Sequence, residues 1–152
     1  MKKLLLTTLM VLFSTKVFAE GYYFDPFADN SFSIKDKKIA VGIYDEAKGG
    51  CWTNLGEVKR YAEDKLMLKG AVIADDIDDA RLVLDIYVKT ISVEEYPENC
   101  IGQIEIVLLK GIKSNGYRWV GTMAKSGGLF VQQKPTNVMV LEAVNDHIAE
   151  YK

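Results

Sequence analysis

The chain predicts an α+β domain of order β-α-β-β-β-α, a mixed sheet with two helices packed on one face. In that sheet strand 38–45 runs parallel to strand 80–93, and an antiparallel meander follows. Three observations lead there. Ile39, Val41 and Ile43 alternate along one short segment, as in a half-buried strand. Leu55, Val58, Ala62 and Leu66 then recur at helical spacing. Finally, Leu82, Leu84, Ile86 and Val88, followed by Ile104, Ile106 and Leu108, return to a period of two.

The elements follow in order. Lys2 and Lys3, the apolar run Leu4 to Phe13 and the small-residue exit Val17-Phe18-Ala19 form the three parts of a secretory signal peptide, residues 1–19, cleaved after Ala19. Residues 20–36 carry Tyr22, Tyr23, Phe24, Phe27 and Phe32 with no regular period, which reads as an aromatic arm ahead of a single domain at 37–152. The first strand stops at Ala47-Lys48-Gly49-Gly50. Asn54 and Glu57 have the spacing of a capping box for the first helix, and Gly70 suits the left-handed position past its end. Ala71 to Ala74 is a short apolar run before the acidic turn Asp75-Asp76-Ile77-Asp78-Asp79.

Beyond the strand at 80–93, Glu94, Glu95 and Glu98 sit in a second acidic turn. Asn115-Gly116 is a tight-hairpin signal, since both central residues must take positive φ. Pairing Ser114 with Tyr117 places Trp119 beside Ile112 and Met123 beside Leu108, which makes Trp119 and Met123 core residues. Gly127 and Gly128 break the strand and Leu129-Phe130-Val131 resumes it. Pro135-Thr136 opens a terminal helix with the stripe Leu141, Val144, Ile148 and Tyr151.

Composition bounds the role. Loss of the leader takes Lys2, Lys3 and Lys16 from 19 basic residues set against 21 acidic ones, moving the net charge from -2 to about -5. Such a surface is a poor match to nucleic acid or to an anionic membrane. Cys51 and Cys100 are the two cysteines, and export delivers them to a compartment where disulfides persist. In the crossover unit the two parallel strands have their carboxyl ends together, which brings Cys51 and Cys100 within reach of one bond.

The chemistry-bearing residues form no known constellation. Counted from Asp76, a calcium loop of the EF-hand kind would need an oxygen ligand at Ala80 and glycine at Arg81. The clusters Asp75, Asp76, Asp78, Asp79 and Glu94, Glu95, Glu98 flank opposite ends of one strand, roughly 40 Å apart, too far to share a metal. His147, the single histidine, reads as a structural residue at the flank of the terminal helix. The expectation is a non-enzymatic chain with no cofactor and no metal site. With Trp119 and the core face of the meander packed under the helices, the opposite face shows Val83, Asp85, Tyr87, Glu105, Val107, Leu109 and Val120, too apolar to be simply wet. Either the arm folds over it or it docks a partner.

The strand Ile39 to Tyr44, the helix ending at Gly70, Asp79-Ala80-Arg81-Leu82-Val83-Leu84-Asp85-Ile86, the hairpin Asn115 to Gly121 and Leu141-Glu142-Ala143-Val144 together resemble a group of bacterial envelope domains. The group comprises the amino-terminal domain of the Tol-Pal propeller protein, related domains of flagellar-base and curli-secretion proteins, and lipopolysaccharide-assembly lipoproteins. The resemblance implies an α+β domain that works through protein contacts in envelope machinery, with no shared catalytic residues. The expected role is therefore a periplasmic binding or accessory domain contacting another envelope protein. A secreted inhibitor or immunity-type protein, blocking an enzyme or toxin through an acidic loop, is the alternative.

Overall fold

The computed structural model describes residues 33–114 and 117–152, without the side chains of 112–119. The leader, the arm up to Phe32, the Asn115-Gly116 turn and the side chain of Trp119 lie outside the described residues. Seven elements follow: β1 (Lys38–Ala47), α1 (Leu55–Leu68), β2 (Val72–Ile73), β3 (Leu82–Val93), β4 (Tyr96–Ser114), β5 (Tyr117–Gln133) and α2 (Asn137–Ala149).

The five strands form one sheet in the order β2-β1-β3-β4-β5. β1 is parallel to both β2 and β3, and β3, β4 and β5 are antiparallel neighbours. The α+β class, the parallel crossover and the meander are as the sequence predicts. Both helices cover one face, where Leu84, Ile86, Ile106 and Leu108 are fully buried beneath Val58, Leu66, Val140 and Val144. Removing one such side chain from water stabilises the fold by about 1.5–3 kcal/mol.

Several local readings need correction. Ala71 to Ala74 contains the edge strand β2, two residues long and too short to announce itself by period. The arm does not end at Asp36 in isolation: Ile34 is fully buried in the core, and its N–H donates to Lys152 O at 3.0 Å. Asn54 does not cap α1, because its Oδ1 accepts from Trp52 Nε1 at 2.8 Å while its amide reaches Glu57 Oε2 at 3.0 Å. Gly70 takes φ +86, the left-handed turn expected of it.

Strand β5 runs unbroken through Gly127 and Gly128. A β-carbon on Gly127 would lie 2.5 Å from Ile104 O, so glycine is required there by close packing on β4 rather than by a chain reversal. Backbone register does pair Ile112 with Trp119, but an irregularity at Leu108/Leu109 leaves Met123 unpaired and sets Ala124 against Leu108. Ala124 is buried and Met123 only partly so; the bulge moves the core position one residue along.

One clasp closes the far end. Cys51 and Cys100 are disulfide-bonded, with Cα atoms 5.9 Å apart and both residues fully buried. Cys51 O accepts from both Thr136 N and Thr136 Oγ1 at 2.8 Å, and Asn137 bonds the backbone and hydroxyl of Thr53. The starts of α1 and α2 and the start of β4 thus meet at one point. Among the described residues no helix is long and apolar enough to cross a membrane.

Candidate functional site

Two groups of side chains stand out, one beneath the helices and one on the opposite face of the sheet. Beneath the helices, α2 turns His147 inward and β5 supplies Ser126. His147 Nδ1 lies 2.7 Å from Ser126 Oγ, and Nε2 lies 2.6 Å from Tyr151 Oη. All three are buried, with His147 only 1 % exposed. Burial pushes the imidazole pKa down to about 4 and raises that of the Tyr151 phenol. A neutral ring offers one donor and one acceptor, so it completes both bonds. His147 is therefore a core residue and not a flank of the stripe; Leu141 is the half-buried flank.

The open face is built in rungs by the register. Ile91, Ile101 and Val131 form one rung across β3, β4 and β5; Glu46, Lys89, Gln103 and Leu129 form the next, then Tyr44, Tyr87, Glu105 and Gly127. Gly42, Asp85, Val107 and Lys125 follow. Of the residues expected here, Tyr87 and Val120 are exposed and Val83, Glu105 and Leu109 are half-buried. Asp85 and Val107 are buried instead, in the middle of the sheet, so neither is available as a contact.

Asp85 owes its place to the strand beside it. Gly42 is its direct neighbour, and a β-carbon there would collide with Asp85 Oδ1. The missing side chain leaves a niche for the carboxyl. Tyr87 Oη donates to Asp85 Oδ2 at 3.3 Å, while Oδ1 is buried without a hydrogen-bond partner. Desolvation raises the Asp85 pKa, against the opposing effect of the Tyr87 and Tyr44 hydroxyls. The Tyr87 phenol is itself pushed up to about 12, by desolvation first and then by the nearby Asp85 charge. Replacement Asp85→Asn, which removes a charge the niche disfavours, is expected to raise the free energy of unfolding by up to about 1 kcal/mol at pH 7. Because the folded-state pKa is raised, that gain shrinks as the pH falls and Asp85 protonates; paired urea titrations at pH 7 and 4 measure it.

Tyr44 stacks on Tyr87 with ring centroids 4.3 Å apart and planes 11° from parallel. Beside the pair runs a groove of about 220 Å³ lined by Tyr44, Glu46, Tyr87, Lys89, Gln103 and Glu105. Its charges are paired, Lys89 with Glu46 at 3.3 Å and Glu105 with Lys125 at 2.8 Å. Tyr44 is missed by the period-two reading of β1, which marks only its core face; the alternation that turns Val41 and Ile43 toward the core places Tyr44 opposite. Ile91 and Ile101, which are 55 % and 44 % exposed, are missed as well.

The acidic clusters stay apart. Asp75, Asp76, Asp78 and Asp79 are exposed beside the β2 edge, with Asp78 N donating to Asp76 Oδ1. Glu94 and Glu95 form the β3–β4 turn, and Glu98 lies within β4 rather than in the turn. Among the described residues no three His, Cys, Asp or Glu side chains gather to hold a metal ion.

No family model matches the chain, and no curated protein matches it. Among solved structures, a PelC dodecamer from Paraburkholderia phytofirmans is similar at 15% identity and a TM-score of 0.48, covering 78% of this chain and 89% of that one. A second crystal form of that dodecamer gives 15% identity and 0.46, over 79% and 90%. The hypothetical protein CT253 from Chlamydia trachomatis is similar at 9% identity and 0.41, over 64% of this chain and 73% of its own.

Proposed function

We propose that the chain is an exported, non-enzymatic accessory domain of the periplasm that binds another cell-envelope protein through the open face of its sheet. The observation that carries this reading is the exposed run from the Tyr44–Tyr87 pair to Ile91 and Ile101, side chains of an ordered sheet that no described element covers. Stacked tyrosines lose little conformational freedom on contact, and aromatic anchors dominate binding energy where they are desolvated. The closed charge pairs around the groove leave the aromatic and aliphatic surface as the main attraction. A disulfide at the domain's clasp fits an oxidising compartment.

The test is crosslinking in the periplasm of an expressing bacterium followed by affinity purification. One defined envelope protein is expected, with recovery reduced at least tenfold by Ile91→Lys or Ile101→Lys; both side chains are exposed, so the fold survives the change. Unchanged recovery with both variants refutes the reading. A partner that is instead a basic enzyme, held more weakly as salt rises and lost on neutralising Asp75 to Asp79, favours an inhibitor role through the acidic turn.

A further inference from the structure

The two edges of the sheet are unequal. At one, β2 offers two residues and is followed by the acidic turn Asp75 to Asp79, so the edge is short and charged. At the other, β5 is 17 residues long and has β4 as its one neighbour among the described strands. Its first half carries the bulge at Met123 and the ion-paired Lys125. Its second half, Ser126 to Gln133, holds no charge and no proline, and its ladder with β4 is regular. Among the described residues none of the usual devices that stop strand addition is present there.

We propose that this half of β5 pairs antiparallel with the β5 of a second copy of the chain, with Phe130 on the two-fold axis. The sheet's own alternation selects this occupant and this register. Side chains directly opposite in a continuous sheet must share a face, which limits a two-fold to a position centred on a residue. Centred on Phe130, Leu129 of each copy stands opposite Val131 of the other, twice. These two are 67 % and 61 % exposed in the single chain, and each then covers the other. Gly128 falls opposite Gln132 and Gly127 opposite Gln133, so no charge meets a like charge over the seven paired residues. The rung Ile91, Ile101, Val131 continues onto Leu129 of the partner copy, and the two open faces lie side by side. The short acidic β2 edge offers β5 no comparable match, so the pairing closes as a dimer.

The interface is small, so dissociation is expected near ~10 μM. Sedimentation of the purified exported chain should show its mass rise from one chain to two across that range. Leu129→Lys with Val131→Lys should hold it at one chain at every concentration, its circular dichroism unchanged. The register has its own test. Opposed Cα atoms of antiparallel strands are about 4.5–5.5 Å apart, within disulfide reach, whereas diagonal neighbours are about 7–8 Å apart. A mixture of Leu129→Cys and Val131→Cys chains should therefore oxidise to a crosslinked dimer while each variant alone does so at least tenfold less; the native bond is buried and does not compete. A single-chain mass up to about 500 μM, association that the lysine pair leaves intact, or equal crosslinking of Leu129→Cys alone would each overturn the proposal. Ile91→Lys, which targets the open face two strands away from the β5 edge, should leave the dimer unaffected, so this pairing and the envelope-partner reading fail separately.

Discussion

Replacing Cys51 and Cys100 together by alanine is expected to lower the stability of the domain by about 4 kcal/mol. The bond closes a loop of sequence separation 49, and the larger part of its effect is entropy removed from the unfolded chain. For a domain of this size that corresponds to a fall in melting temperature of roughly 15 °C. The native contribution lies in what the bond holds. With Cys51 fixed, its carbonyl takes both hydrogens offered by Thr136, and α2 starts in register with α1. Thermal melts of the double variant beside the parent, with and without reductant, measure the effect: reductant should bring the parent toward the variant and leave the variant unmoved. A shift under about 3 °C would show that the Thr136 and Asn137 bonds suffice to close this end.

The second large effect is a loss of stability in mild acid caused by His147. Its folded pKa, about 4, lies below the ordinary 6.5, so the folded state disfavours the imidazolium. The stabilisation is therefore complete above pH 6.5 and is lost as the pH falls toward 4, about 3 kcal/mol in all. The geometry explains the cost. A charged ring would donate to both Ser126 Oγ and Tyr151 Oη, so the hydroxyl whose hydrogen the neutral ring accepts would lose that acceptor. Asp85 works in the opposite sense, since its raised pKa gives stability back on protonation, and the net acid profile is shallower than His147 alone would make it. In His147→Gln, urea midpoints should start lower at pH 7 and lose most of their dependence between pH 6.5 and 4. A parent whose midpoint is flat across that window contradicts the assignment.

The fold was legible wherever burial was one-sided. The β3 and β4 alternation, the α1 stripe and the crossover that brings Cys51 to Cys100 follow from periodicity and handedness alone, and the structure has each. What could not be read depends on neighbours distant in sequence. Gly127 looks like a strand breaker until Ile104 O is seen against it, and Gly42 carries no sign that it makes room for Asp85. The bulge at Met123 leaves no trace in a run of mixed residues, and moves the core position to Ala124. His147 reads as a structural flank at the edge of the α2 stripe because its two partners come from β5 and from the segment after α2.

The open face shows the same division. Tyr87, Val120 and Glu105 are where alternation puts them, yet alternation cannot tell a central rung from a marginal one. Asp85 and Val107 are buried, whereas Ile91 and Ile101, two rungs beyond the tyrosines, are exposed. The stacking of Tyr44 on Tyr87 requires β1 and β3 to be in exact parallel register, which no local pattern encodes.

Ile34 and Lys152 share a backbone hydrogen bond, and Lys69 Nζ ties Ala149 O and Tyr151 O to the same corner at 2.8 and 2.7 Å. The two places where chain could leave the described domain are thus one anchorage, on the helix side of the sheet. A pull applied through both would load that corner first, where the Ile34–Lys152 and Asp36–Gly70 backbone bonds, the Lys69 contacts and the buried Ile34 side chain resist it ahead of β1. The open face lies on the other side of the sheet from that corner, and the β5 edge lies at the far end of the strand order.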